Sequence, residues 1–106
     1  MTSMIHQFDV FQTPFRKDRA ERPYYIVVQS DRYQTYSRVC APFVAERFLK
    51  PNGRLNPRFE LEGSACLLHP IEMVSLPTAL LRVKIVNLEA DRYRIIGAID
   101  LVFTGV

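Results

Sequence analysis

The sequence predicts a mainly β (α+β) fold, in which one small domain is closed by a C-terminal α-helix. Three observations lead to this prediction. The chain has 106 residues, 48% of them hydrophobic and 24% charged, which is the size and balance of one globular domain with a core over residues 1–106. Short apolar runs alternate with turn residues, as in a barrel or sandwich. From Glu89 the apolar residues change to helical spacing, which predicts a helix over residues 89–104.

The first half of the chain predicts three strands. Apolar residues alternate over residues 7–11, which predicts the first strand. The β-branched and aromatic run at 24–28 predicts a second strand in the middle of the sheet. Alternation over 39–43 predicts a third, and Pro42 there indicates an edge strand or a bulge, because proline cannot donate to a ladder.

The second half predicts a hairpin and one further strand. Residues 59–61 and 65–68 flank a Glu-Gly-Ser turn and are typical of a hairpin. Residues 71–76 predict another strand, which Pro77 ends. The segment 80–88 is apolar, but its period favours neither a strand nor a helix.

The predicted C-terminal helix has an apolar end. Ile95, Ile99 and Val102 lie at helical spacing, and Gly105 suits the position that follows a helix. Phe103 lies close to the last residue of the sequence, which leaves two interpretations. Its ring reaches the surface as a contact site, or it packs inward while the final residues fray.

Charge and cysteine content narrow the class of protein. The net charge is +3, and basic residues cluster at 16–22 without the dense stripe of a nucleic-acid-binding module, which favours a solvated loop. No apolar run is long enough to cross a bilayer, and the first residues do not resemble a signal peptide, so we expect a cytoplasmic protein. Cys40 and Cys66 lie in apolar stretches and are expected to be buried and reduced.

Residues with catalytic chemistry are scattered. His6 and His69 are far apart, and neither has the spacing of a metal site. Apart from Arg38 near Cys40, neither cysteine has a basic neighbour that would mark a reactive thiol. We therefore expect no enzyme activity, no metal and no cofactor, although a nuclease site built from arginine, tyrosine or glutamate leaves little trace in a sequence.

Six short motifs follow one another in a specific order, although each alone is common. They are Gln7-Phe8-Asp9-Val10-Phe11, Val28-Gln29-Ser30-Asp31, Ser37-Arg38-Val39 through Pro42, Asn56-Pro57 with Phe59, Met73-Val74-Ser75-Leu76-Pro77, and Ala98-Ile99-Asp100-Leu101 through Gly105-Val106. In this order and spacing, the chain from Gln7 to Val106 resembles the CcdB family, the gyrase-poisoning toxins of bacterial toxin–antitoxin systems.

The resemblance implies an SH3-like barrel with an additional small antiparallel sheet and a C-terminal α-helix, assembled as a symmetric homodimer. It implies that the helix ends bind the A subunit of DNA gyrase and trap it on cleaved DNA without a reaction of their own. It also implies a cognate antitoxin with an acidic, disordered tail. Residues 1–6 precede the region of resemblance and are expected to form a flexible extension.

Matching positions give the implied site residues. The gyrase contacts are Arg32, Tyr33, Asp100, Phe103, Thr104, Gly105 and Val106. The positive charge suits an acidic antitoxin, and the basic loop is the candidate surface for it, through Arg16, Lys17, Arg19 and Arg22. The chain departs from the family pattern at Thr104, where tryptophan is usual, and at Asp100, where asparagine is common. Aliphatic residues are typical at the positions of Arg32 and Tyr33.

Two other functions stay open. One is a ribonuclease toxin of the MazF type, which shares the barrel, because a fold does not determine a function. The other is a non-toxic homologue that binds an antitoxin without poisoning gyrase. An RNA cleavage assay tests the first, and a gyrase-binding measurement tests the second.

Overall fold

The structure, a computed structural model, describes residues 4–105 of the chain. Val106 of the predicted gyrase contacts and the first three residues of the predicted extension lie outside the described residues. Residues 4–105 contain seven strands and one α-helix: β1 Asp9–Gln12, β2 Tyr24–Val27, β3 Ser37–Ala45, β4 Arg58–Leu61, β5 Ser64–Leu68, β6 Val74–Pro77, β7 Lys84–Asn87 and α1 Arg92–Thr104. The strands form a curled antiparallel half-barrel, so the predicted mainly β fold with a C-terminal helix is confirmed.

The long strand β3 connects the two parts of the sheet. The strand order is β4-β5-β3-β2-β1-β7, and β6 also pairs with β3. Ser37 to Cys40 pair with β6, whereas Phe43 to Ala45 pair with β5. The β4–β5 hairpin and the end of β3 therefore form a small three-stranded extension of the main sheet. Strand β2 lies between β3 and β1, which agrees with the burial of all four of its residues.

Pro42 lies in the interior of the sheet, so the prediction of an edge strand or bulge there is wrong. The register between β2 and β3 continues through Pro42 without a shift. Its carbonyl accepts a hydrogen bond from the His69 N–H at 2.9 Å. Because N and O of one strand residue face the same side, the proline nitrogen faces the gap where β3 exchanges β6 for β5. No β2–β3 ladder hydrogen bond is lost at that place.

Two turns set the boundaries of the second-half strands. Glu62 and Gly63 have φ angles of 51° and 79°, the combination of a type I′ turn, and the predicted hairpin is confirmed. The strand predicted over 71–76 is shorter, because Pro70 begins a 3-10 turn and β6 starts only at Val74. The ambiguous segment 80–88 contains β7.

Alternating side chains form a core on each face of the sheet. One cluster includes Val10, Ile26 and Phe43, and α1 adds Ile95 and Ala98 to it. The second cluster contains the neighbouring residues of the same strands, among them Phe11, Tyr25, Val27 and Cys40. Since consecutive strand residues point to opposite faces, α1 covers one face only.

The helix predicted over 89–104 begins at Arg92 in the structure. A separate 3-10 turn, Glu89–Asp91, precedes it. Within residues 4–105, no helix is both long enough and apolar enough to span a membrane.

A buried carboxylate ties the first residues to the last strand. Asp9 is fully buried, and its oxygens contact Lys84 Nζ at 3.0 Å and Asn87 Nδ2 at 2.9 Å. The His6 N–H donates to the same carboxylate at 2.8 Å. The charge is therefore paired and hydrogen-bonded, as a buried carboxylate requires.

Candidate functional site

The end of helix α1 presents a large apolar side chain to solvent. Burial falls along the helix: Ile95 and Ala98 are buried, Leu101 and Val102 are half-buried, and Phe103 is 76% exposed. The interpretation that Phe103 packs inward is therefore wrong. Four predicted contact residues come together here, all of them exposed, and we call them the helix tip: Asp100, Phe103, Thr104 and Gly105.

The helix tip is held by a left-handed cap. Gly105 has a φ angle of 68°, and its N–H donates to the Leu101 carbonyl at 2.9 Å. This geometry satisfies a carbonyl of the last turn, and glycine adopts it without a steric cost. The Thr104 Oγ1 also donates to the Asp100 carbonyl at 2.9 Å. These two hydrogen bonds stabilise the last turn of α1, which carries the predicted contact residues.

A second exposed region is the loop of residues 29–36, which we call the Gln29 loop. Gln29 Nε2 donates to the Tyr33 carbonyl at 2.7 Å and to Thr35 Oγ1 at 3.0 Å. Gln29 Oε1 accepts from the Val39 N–H at 2.9 Å. One side chain therefore spans the loop from its middle to the start of β3.

The two residues after Gln29 complete the loop. Ser30 Oγ accepts from the Arg32 N–H at 3.1 Å, and Asp31 Oδ1 accepts from the Gln7 N–H at 2.7 Å. Tyr33 is left 60% exposed, and Arg32 is exposed beside it. The Gln-Ser-Asp motif therefore builds the loop, and the two predicted contact residues are presented by it.

The basic loop contains two kinds of cation. Arg16, Lys17 and Arg19 are exposed, in or next to a 3-10 turn. Arg22 instead donates from Nε and Nη2 to the two carboxylate oxygens of Glu72, each at 2.8 Å. These hydrogen bonds raise the pKa of Arg22 above its usual range and lower the pKa of Glu72. The charge of Arg22 is therefore paired with a carboxylate of the same chain.

Arg38 was noted from the sequence beside Cys40 and within a motif, but it was not predicted as a site residue. Its side chain is 7% exposed, and it follows the alternation that places Cys40 in the second core cluster. The available signal was therefore a cation at an inward position of a strand. Charged residues are seldom buried without a partner, which makes this position a candidate for function.

The cysteines and histidines do not form a reactive group. Burial raises the pKa of both the Cys40 and the Cys66 thiol to about 12, so neither is a thiolate at neutral pH. Both are buried and free, as predicted. His69 Nδ1 lies 3.3 Å from Asn56 Nδ2, and its Nε2 lies 3.9 Å from Glu72. Within residues 4–105, His, Cys, Asp and Glu form no group of three or more that could hold a metal ion.

Comparison with known proteins gives one family. The family model described as CcdB protein matches residues 7–105, which is nearly the whole chain. No curated protein matches the sequence. The match includes the Gln29 loop and the helix tip, so both exposed regions lie within the family domain.

Proposed function

The chain belongs to the CcdB family, the toxins of toxin–antitoxin systems, and from this premise we propose that it binds DNA gyrase through the helix tip. In this proposal the toxin engages the A subunit and traps gyrase on cleaved DNA, in the bacterial cytoplasm. It acts by binding and not as an enzyme. Arg32 and Tyr33 of the Gln29 loop would supply further contacts.

The observation that carries this proposal is the exposure of Phe103. Aromatic side chains at the centre of an interface contribute much of the binding free energy. A Phe ring that is 76% exposed, beside a hydrogen-bonded helix cap, is available to fill a pocket on a partner with little reorganisation. Asp100 and Thr104 would form the polar rim around it.

We also propose a symmetric homodimer. Leu101 and Val102 are apolar and only half-buried on α1, just before the helix tip. A second copy of the chain would cover such residues. A two-fold axis close to them would place two helix tips side by side, which suits the two-fold symmetry of a gyrase A dimer.

An antitoxin would bind the same chain through charge. Arg16, Lys17 and Arg19 are exposed on the basic loop, and the net charge of the chain is +3. An acidic, disordered antitoxin tail would be attracted to this surface. Arg22 contributes little to this attraction in our proposal, because Glu72 already neutralises it.

The test compares two exposed aromatic residues of the same helix. Phe103→Ala removes the ring of the helix tip, whereas Tyr93→Ala removes a ring that is 86% exposed but lies about 15 Å earlier along the helix. We expect Phe103→Ala to raise the concentration that inhibits gyrase supercoiling by about 30-fold, and Tyr93→Ala to leave it nearly unchanged. Equal inhibition by Phe103→Ala and wild type, with both folded by circular dichroism, would show that the helix tip is not the effector.

A ribonuclease remains the second candidate, because of one grouping of side chains. Glu72 accepts a hydrogen bond from Arg22 at 2.8 Å and lies 3.9 Å from His69 Nε2, and such groups can move protons in metal-free nucleases. We expect no RNA cleavage by the purified protein. Cleavage that Glu72→Gln abolishes, with the helix tip intact, would replace the gyrase proposal. Antitoxin binding without gyrase binding in calorimetry would instead indicate a non-toxic homologue.

A further inference from the structure

A cleft lies on the face of the sheet that α1 leaves uncovered. Its volume is about 1000 Å³, and it opens between residues 4–5, the end of the Gln29 loop and the segment 78–84. Its floor includes Ile5, Phe11 and Leu81, which belong to the second core cluster or pack against it. Tyr36 stands at the side of the cleft and is 96% exposed. We call this site the Arg38 cleft.

The charged side chains that line the Arg38 cleft carry one sign of charge. They are Arg38, Arg82 and Lys84, and none of the described residues that line the cleft has a carboxylate side chain. Lys84 is paired with the buried Asp9. Arg82 is exposed and has no hydrogen-bond or ion-pair partner among residues 4–105. The cleft therefore combines an apolar floor with a positive wall.

Arg38 is the buried part of this positive wall. Its terminal nitrogens donate to the Thr35 carbonyl, to the Ser37 carbonyl at 3.3 Å and to Gln34 Oε1 at 2.8 Å. All three acceptors are neutral, and no carboxylate within the described part of the chain forms an ion pair with Arg38. Burial of a cation is unfavourable unless an anion compensates it. The guanidinium is thus positioned by neutral groups and still lacks a counter-charge.

We propose that the Arg38 cleft binds an acidic peptide segment of a partner protein. One carboxylate of the segment would lie at Arg38 and Arg82, where charge-assisted hydrogen bonds are strong. A neighbouring apolar side chain would cover Phe11 and Leu81. Nucleic acid fits this site less well, because a phosphate backbone requires a row of cations rather than an apolar floor. The acidic tail of an antitoxin would provide such a segment. Only the identification of the partner as an antitoxin rests on the proposed function.

The site is separate from the helix tip. Helix α1 packs against the first core cluster, whereas Phe11 and Leu81 of the cleft belong to the second. Because the two clusters lie on opposite faces of the sheet, the Arg38 cleft lies under β1 and β3 on the face that α1 does not cover. Arg82 belongs to neither the helix tip nor the Gln29 loop, so it can be varied without a change in the predicted gyrase contacts. When a partner is bound in the cleft, the helix tip stays accessible to a second segment of the same partner.

Two exposed residues of the cleft give variants that keep the fold. Arg82→Glu reverses a charge at the wall, and Tyr36→Ala removes the exposed ring. Arg54→Glu is the matched control, because Arg54 is also exposed and lies outside the cleft. Arg38→Gln tests the buried cation itself, and a thermal melt shows whether that variant folds. If it does not fold, the two exposed variants decide the question.

The probe is a set of short fluorescein-labelled peptides that combine aspartate or glutamate with leucine or phenylalanine, and the measurement is fluorescence anisotropy. We expect the acidic peptides to bind the wild type and their asparagine and glutamine analogues not to bind. Arg82→Glu should weaken binding by at least about tenfold, and Tyr36→Ala by several-fold, whereas Arg54→Glu should change it little. Gyrase inhibition by the Arg82→Glu variant should equal that of the wild type.

Several results would overturn the inference. They are no binding of any acidic peptide, equal loss in Arg54→Glu and Arg82→Glu, or loss only when Arg16 and Arg19 of the basic loop are reversed. Tighter binding of a single-stranded oligonucleotide would identify a nucleic-acid site instead. Dissociation of a dimer by Tyr36→Ala in sedimentation would identify a contact between copies. If the wild type binds acidic peptides in the cleft but does not inhibit gyrase, the proposed function fails and this inference stands.

Discussion

The Gln29 loop and the helix tip are both exposed, but their polar groups are used differently. In the loop, the side chains of Gln29, Ser30 and Asp31 form hydrogen bonds with backbone groups. The Gln-Ser-Asp motif therefore mainly stabilises the conformation of the loop. At the helix tip, the helix itself supplies the shape. The Gly105 cap and the Thr104 hydroxyl add hydrogen bonds to the last turn.

This difference shows that residues of a recognisable motif can either stabilise the local structure or contact a partner. A polar motif in a loop can mark residues that build the loop, while the contact residues are its neighbours. Phe103 in the helix tip has no comparable structural task, because its ring is largely exposed. We therefore expect substitutions of Gln29, Ser30 or Asp31 to change stability and binding together. Substitution of Phe103 should change binding alone.

The largest effect on stability is expected from Gln29→Ala. The change removes three hydrogen bonds that join Tyr33, Thr35 and Val39, and it should lower the free energy of unfolding by about 2–3 kcal/mol. Urea denaturation measures this. Gln12→Ala is the control, because the Gln12 side chain has no hydrogen bond to another described residue. Similar losses in the two variants would contradict a scaffolding role for Gln29.

The next effect concerns binding at the helix tip. Thr104→Trp introduces the aromatic residue usual in the family at an exposed position, and it should strengthen gyrase inhibition by about tenfold. The free energy of unfolding should change by no more than about 0.5 kcal/mol, since the position is on the surface. Supercoiling assays and urea denaturation give the two numbers. Unchanged inhibition would count against the helix tip as the gyrase contact.

A smaller effect is expected when the cap of the helix tip is strained. Gly105→Ala places a side chain at a φ angle of 68°, which costs about 1 kcal/mol, so gyrase inhibition should fall about fivefold. Gly97→Ala is the matched control, because an added Cβ there meets no atom within 4 Å and alanine favours a helix. Faster amide hydrogen exchange at position 105 in the first variant only would support this account. Equal behaviour of the two variants would argue against it.

The smallest effect lies outside both regions, in the ion pair that holds the basic loop. Hydrogen bonding to Arg22 lowers the pKa of Glu72 below its usual value of 4.5. The unfolded chain therefore binds the proton more readily, and the stability from this pair is present above pH 4.5 and decreases as the pH falls below it. Glu72→Gln should flatten this part of the stability–pH curve slightly, because Glu72 is partly exposed. An unchanged slope would show that the pair adds nothing.

Most strands could be predicted from local patterns, and the errors occur where distant segments decide. The alternation at 7–11 and the Glu-Gly turn are local signals, and both led to correct elements. The prediction at Pro42 was wrong because β3 pairs first with β6 and then with β5. This change of partner depends on the tertiary structure and leaves no local signal in the sequence. The helix starts late because residues 89–91 are used for a separate turn.

The candidate sites were predictable to a lesser extent. The helix tip could be located because it follows from a helical pattern and a glycine, and its contact with gyrase stays a prediction. The partner of Arg22 is 50 residues away in the sequence, so the use of its charge could not be foreseen. The Arg38 cleft depends on four segments that meet only in the folded chain, and on the absence of a carboxylate among its described lining residues.

The pairing of β1 with β7 has a consequence for synthesis on the ribosome. Asp9 contacts Asn87, which is 78 residues later in the chain, whereas β2 and β3 are neighbours along it. One edge of β1 therefore stays open during translation until residues 84–87 have emerged, and an open edge can pair with another nascent chain. We expect arrest-peptide force measurements to detect completion of the sheet only after that point. A strong folding force at shorter nascent chains would show that the sheet forms without its closing strand.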